Sequence, residues 1–345
     1  MIMRLLFVDY LSPPGHKFFN TIHINALLEQ GYDVCLVGKE GHFKCFEQRQ
    51  GVDVQSIPNW LFASLPFPQL MERLLEIIRL LWLLLYVKRK KYDAIIFSSY
   101  DALSLFVYRV DSKVYLINHN NVSQIDRSKV KLFFTKTLPS NYIHVALNEM
   151  MEKRLKELLP NKTTVYVPHG FIKNEGKAQK PTYLQEGDVF IFCPVNSNYD
   201  PAFVGDLFND NDLKEFLISH NIKLIVKRKL LGDLIHSNVI GVDGRFSDEE
   251  YHYMMRNSLA VVLPYSSQFK YRCSGIFFEC VANDSRIIST RIPDMVIYSG
   301  RVKICYFNTP MEFIDCIKNI RSVNVEKNPM QSNEVKSCWH KILLM

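Results

Sequence analysis

Short, uninterrupted apolar runs alternate with stretches of helical periodicity along most of the chain. Residues 5–8, Leu-Leu-Phe-Val, predict a strand buried on both faces, because strands of parallel sheets read as continuous apolar runs. Residues 18–30 follow with helical spacing, Ile22, Leu27 and Leu28 on the inward face, and stop at Gly31. Residues 33–37 are the next strand, and a strand–helix–strand unit of this kind implies a parallel sheet. The alternation continues with strands at 52–57, 92–98, 114–118, 142–147 and 164–167, and helices at 102–107 and 149–159. Residues 172–187 are polar, carry lysines and Pro181, and read as an interdomain linker. The strand pattern then restarts at 188–193, 223–226, 238–242, 259–263, 286–289 and 302–306, with one helix over 203–219. Ser247 and Glu250 have capping-box spacing, and Thr309-Pro310 opens a late helix by its cap and by proline at the first position.

Length changes this picture only by doubling it: 345 residues and 40.3 kDa suffice for two α/β domains. The net charge of +7 suits nucleotide diphosphates, an anionic membrane surface or nucleic acid. The basic residues are scattered and no RNA or DNA motif is present, so nucleic acid is not an expected partner. Eight cysteines show neither a C-x-x-C pair nor histidines at metal-ligand spacing, which predicts reduced thiols in a cytoplasmic protein and no metal. The N-terminus lacks a signal-peptide core and cleavage site.

Residues 70–91 stand apart: a helix-forming stretch, almost wholly apolar from Ile77 to Val87, runs into Lys88-Arg89-Lys90-Lys91. It is too short to span a bilayer, which takes about 20 apolar residues. It reads either as a core helix with a solvated charged end or as an interfacial helix on anionic lipid, with Trp82 and Tyr86 at headgroup depth.

Candidate chemistry gathers where strands end. The first loop carries Gly15 and His16, and residues 114–118 deliver His119 and Asn120 at a strand's carboxyl end, the usual ligand position of open α/β sheets. A histidine there can donate to a hydroxyl or act as a base near neutral pH. Asn196 lies in the loop after residues 188–193, and Lys227 and Arg228 follow residues 223–226. Most informative is the run from Pro264 to Pro293. A polar loop with Tyr271 and Arg272 leads to Ser274-Gly275, a short helix carrying Glu279, a stop at Asn283-Asp284, and a strand. The N-terminus of such a helix presents free N–H groups to anions.

This run resembles the donor-binding segment of GT-B glycosyltransferases, in particular the group that builds bacterial surface polysaccharides. Ser274-Gly275 match the loop end, Glu279 the glutamate that holds the nucleotide ribose, residues 286–290 the following strand, and Ile292-Pro293 the turn after it. Tyr271 stands where many relatives carry a second glutamate, facing the sugar. Pro168-His169-Gly170 resembles the turn that closes the first domain.

The resemblance implies a GT-B fold: two Rossmann-like parallel-sheet domains facing across a cleft. Residues 1–171 would bind the acceptor, 172–187 link, 188–325 bind the nucleotide-sugar, and 326–345 return to the first domain. The implied activity is transfer of a sugar from a nucleotide-sugar donor to a glycan or lipid-linked acceptor in surface polysaccharide synthesis. It would proceed without cofactor or metal, in the cytoplasm or on the inner face of the membrane. His119 would be catalytic. Glu279, Ser274, Gly275, Arg272, Lys227, Arg228, Asn196 and Tyr271 would serve the donor, and Gly15, His16 and Asn120 the acceptor. A degenerate GT-B protein that binds nucleotide without turnover is the alternative, motivated by Tyr271.

Overall fold

A computed structural model describes residues 2–13, 15–62, 68–172, 176–195, 197–231, 237–325 and 333–344, with 68–70 as backbone only. The chain divides into two compact units. The first is Met1–Gly170 with Tyr271–Cys273 and Ser332–Met345; the second is Phe171–Lys270 with Ser274–Gln331.

In the first unit, strands β1 (Arg4–Asp9), β2 (Asp33–Lys39), β3 (Asp53–Ile57), β4 (Ala94–Phe97), β5 (Lys113–Ile117), β6 (Tyr142–Ala146) and β7 (Thr164–Tyr166) form one sheet in the order β3-β2-β1-β4-β5-β6-β7. In the second, β8 (Val189–Cys193), β9 (Ile222–Lys227), β10 (Val239–Val242), β11 (Ala260–Leu263), β12 (Ile287–Thr290) and β13 (Ile304–Phe307) form another, ordered β10-β9-β8-β11-β12-β13. Every ladder is parallel. The interior residues of β1, β4, β8, β11 and β12 are buried, the physical reason their sequences are apolar without alternation. In both sheets the strand order reverses direction once, between β1 and β4 and between β8 and β11. Crevices at such switch points are where doubly wound sheets bind ligands.

Residues 203–219 do not form one helix. Helix Pro201–Asn209 stops at Asp210, whose carboxylate accepts from Leu213 N–H at 2.9 Å and starts a second helix, Asn211–Ser219. The run Asn209-Asp210-Asn211-Asp212 offers side chains that compete for backbone groups, and capping prevails over continuation. The capping box of helix Asp248–Asn257 is present, with both reciprocal bonds between Ser247 and Glu250.

Helix Pro68–Arg89 has two faces. Leu75, Leu80, Leu83 and Val87 join the core over β1–β4, whereas Leu74, Leu81 and Leu85 are exposed. Trp82 and Tyr86 stack at 5.7 Å and pack against that core. Lys90 is drawn inward by Asp53 at 2.9 Å, while Lys88, Arg89 and Lys91 remain exposed. Among the described residues no helix is long and apolar enough to cross a membrane.

The first unit is closed by helix Glu334–Leu343 packing on helix His16–Leu28. Trp339, fully buried, donates from Nε1 to His23 Nδ1 at 2.9 Å, and Tyr115 donates to the Ile342 carbonyl at 3.2 Å. Gly170 (φ +74°) makes room for this contact: a Cβ there would stand 2.5 Å from a Val335 methyl and 2.8 Å from an Ile22 methyl.

Candidate functional site

The switch point of the second sheet is bridged by the loops that leave it. Tyr199, after β8, pairs with Tyr265, after β11, and Ser266 N–H donates to the Asn198 carbonyl at 2.8 Å. The chain then reaches helix Gly275–Ala282. Ser274 is its N-cap: the hydroxyl accepts from Phe277 N–H at 3.1 Å and bonds the buried Tyr265 hydroxyl. Ser274 is therefore occupied with structure, and the exposed groups at the helix start belong to Gly275, around which an added Cβ would meet open space. One turn on, Glu279 is half-buried and accepts a 2.5 Å hydrogen bond from the Tyr251 hydroxyl at Oε2. Burial pushes the Glu279 carboxyl up from its ordinary pKa, only partly offset by that bond. Burial and the adjacent carboxylate push the Tyr251 hydroxyl well up too, so Tyr251 stays a donor.

A line of aromatic contacts runs from this carboxylate to the end of β9. Tyr251 packs edge-on against Phe192 at 5.8 Å, Phe192 against Phe246 at 5.3 Å, and Lys227 Nζ lies 3.4 Å from the Phe246 ring centre. Lys227 is buried and donates to the Gly244 carbonyl at 2.6 Å; burial and the Lys229 charge lower its pKa. Such a desolvated cation on a ring face is a ready counter-charge for an anion. Arg228 is exposed and held by Asp243 at 2.9 Å and by the Gly241 carbonyl at 3.0 Å.

The switch point of the first sheet holds a different chemistry. Asp9, at the end of β1, is fully buried. It accepts from Asn20 Nδ2 at 2.8 Å, Ser12 N–H at 3.1 Å and the Ser99 hydroxyl, with His42 Nε2 at 2.8 Å. Burial alone would raise its pKa. The neighbouring His16 and His42 outweigh that and hold the carboxyl well below the usual range. His16, first residue of its helix, has Nδ1 3.7 Å from Asp9 Oδ2, too far for a hydrogen bond. Its ring lies on that of His119 at 4.0 Å, and Phe19 abuts His119 at 4.3 Å and His169 at 4.9 Å. His119 Nε2 is buried, with no hydrogen-bond partner among the described residues. Burial, then the charges of His16 and His169, drive its pKa well down, so the ring is a neutral donor or acceptor at physiological pH.

No family model and no curated protein matches the sequence. Solved structures do match. Anabaena HepE in complex with UDP-glucose is 14% identical, with a TM-score of 0.57 over 99% of this chain and 94% of that one. A Burkholderia xenovorans UDP-forming α,α-trehalose-phosphate synthase is 10% identical, with a TM-score of 0.65 over 100% and 98%. The chain has the GT-B fold. A Listeria monocytogenes structure whose name suggests a UDP-N-acetylglucosamine 2-epimerase also aligns, 11% identical with a TM-score of 0.61 over 98% and 94%. GT-B geometry therefore locates a site without naming its reaction.

On this GT-B framework the structure groups Glu279, Ser274, Gly275, Lys227 and Arg228 in the second unit, and Gly15, His16, His119 and Asn120 in the first. Gly15 caps the helix His16–Leu28 with open space around it, and Asn120 is exposed at the start of helix Asn121–Arg127. Tyr271 and Arg272 fall in the segment that groups with the first unit. The Tyr271 backbone has φ +54°, and its ring receives the Arg154 guanidinium at 5.8 Å. Asn196 lies outside the described residues. Sequence reasoning missed Asp9, His42 and Tyr251. Only Asp9 carried a local signal, a carboxylate directly after an apolar strand.

Proposed function

We propose that this protein is a glycosyltransferase that moves a sugar from a nucleotide-sugar donor to a glycan or lipid-linked acceptor, in surface polysaccharide synthesis. The observation that carries the proposal is Glu279, half-buried on the helix opened by Ser274-Gly275 and braced by Tyr251 at one oxygen. The other oxygen can accept from a ribose diol, while the helix N-terminus and Lys227 offer positive potential for a diphosphate. The aligned HepE structure contains UDP-glucose, which supports the donor class. His119, neutral and tilted against the His16 ring, would donate to the sugar or acceptor, with Gly15, His16 and Asn120 around it.

The same reading places the protein at an anionic membrane surface on the cytoplasmic side. The face that would meet lipid carries Leu74, Leu81 and Leu85 and ends in Lys88, Arg89 and Lys91. Trp82 and Tyr86, expected at headgroup depth, instead pack toward the core, because helical phase places Tyr86 with Cys35 and Tyr92 and stacks Trp82 on Tyr86.

Glu279→Gln tests the donor assignment. Calorimetric titration with UDP-sugars is expected to show at least a tenfold loss of affinity, about 1.4 kcal/mol. Wild-type affinity should also fall as pH drops through the raised Glu279 pKa, while the variant stays flat. Equal affinities would make Glu279 structural. Binding without turnover across an acceptor panel would favour the degenerate nucleotide binder.

A further inference from the structure

One pair of side chains lies outside everything described so far. Cys305 is half-exposed on β13, the edge strand of the second sheet, and Cys316 is buried on the helix Pro310–Asn319 that packs against that strand. Their sulfurs are 2.6 Å apart, Cys316 donating to Cys305, and Cys316 Sγ is also 3.3 Å from the Tyr306 carbonyl. Two thiols normally keep about 3.5 Å or more between sulfurs, and a bonded pair about 2.05 Å. The strand–helix hairpin thus already supplies the approach that a disulfide needs, within one unit and across a short connection.

We propose that Cys305 and Cys316 form a dithiol modification site that reacts with low-molecular-weight disulfides of the glutathione class and closes into an intramolecular disulfide. The two sulfurs have unequal roles. The Cys316 contact, the Tyr306 backbone and the Arg291 charge outweigh burial and hold the Cys305 thiol below its ordinary range. Its partner is pushed up, by donating that bond and by burial. Cys305, the more exposed sulfur, is the attacking thiolate, and the buried Cys316 is the resolving thiol. In the first step Cys305 sulfur bonds to one sulfur of the reagent, whose S–S bond breaks and releases one thiolate. That thiolate takes the Cys316 proton. Cys316 sulfur then attacks Cys305 sulfur and expels the second thiolate, which is protonated by solvent. One reagent disulfide is reduced to two thiols, and one protein dithiol is oxidised.

The test uses the folded full-length protein with oxidised glutathione, followed by acid quench, alkylation and peptide mass spectrometry. The expected product is a Cys305–Cys316 cross-linked peptide lacking two hydrogens. Cys316→Ser should halt at a stable glutathione adduct on Cys305, and Cys305→Ser should leave the buried Cys316 free. Cys45, exposed and remote in sequence, reports reagent activity. A wild-type protein that keeps the glutathione adduct on Cys305 would overturn the proposal. So would one in which Cys45 is modified while Cys305 and Cys316 both stay reduced. Neither outcome bears on nucleotide-sugar binding, so this proposal and the donor assignment fail separately.

Discussion

His144 makes the first unit acid-sensitive in a measurable way. It lies in the middle of β6, fully buried, with neither ring nitrogen hydrogen-bonded among the described residues and Tyr100 edge-on at 6.5 Å. Burial first, and then the Lys162 charge, lower its pKa from 6.5 to about 3. The sign follows from linkage. The unfolded chain takes up a proton near pH 6.5 and the folded chain only near 3, so stability is lost as pH falls through that window. At pH 5 the deficit is about 1.5 units at 1.36 kcal/mol each, roughly 2 kcal/mol. His23 (about 3), His169 (about 4) and His119, all in the same unit, act in the same direction. All four therefore weaken the first unit as pH falls below the ordinary histidine range. Glu76, raised by burial, works the other way, and Asp9 contributes equally at both pH values because its pKa lies below them. His144→Leu removes one proton site at nearly constant volume. Urea denaturation at pH 7.5 should find the variant within about 1 kcal/mol of wild type. At pH 5 it should be the more stable by about 2 kcal/mol, or about 5 °C in Tm. A difference independent of pH would refute the reasoning, since it would mean that the folded protein protonates His144 as readily as the unfolded chain.

Asp9→Asn should cost about 3 kcal/mol at pH 7, because an amide cannot satisfy the donors that converge on Asp9. Chemical denaturation should show the loss above the ordinary carboxylate pKa of about 3.9 and see it shrink below; a loss under about 1 kcal/mol would mean that the network repacks. Replacing Lys88, Arg89 and Lys91 by glutamine should weaken binding to anionic vesicles by about 1 kcal/mol per cation, close to a hundredfold together. Unchanged co-sedimentation would leave helix Pro68–Arg89 a core helix only.

Much of the architecture could be read from the chain because its strands are buried on both faces. Leu5 to Val8 and Val261 to Leu263 have no alternative to a sheet interior, and Ser247 with Glu250 marks a helix start within four residues. The helix opened by Ser274-Gly275 was legible for the same local reason, whereas the donor role expected of Glu279 came from the resemblance to GT-B donor-binding segments. His42, Tyr251 and the Cys305–Cys316 pair depend on partners from other elements, and nothing local announces them; Asp9 had only the signal of a carboxylate directly after an apolar strand. The inward packing of Trp82 and Tyr86 was hidden too: a helix apolar nearly all round gives no phase from which to choose its core side. The break at Asp210 was visible in principle, since four consecutive Asn and Asp residues rarely sit inside a helix.

The seam between helices His16–Leu28 and Glu334–Leu343 has a consequence for synthesis. The second partner leaves the ribosome about 300 residues after the first. At about 5–20 residues per second, that is roughly 15–60 s during which Ile22, His23 and Leu27 have no Val335 or Trp339 against them. The first unit thus cannot finish folding in the order it is made. Until helix Glu334–Leu343 arrives, the face of helix His16–Leu28 that it covers stays open, and whatever shields that face in the interval shares in determining how much protein matures.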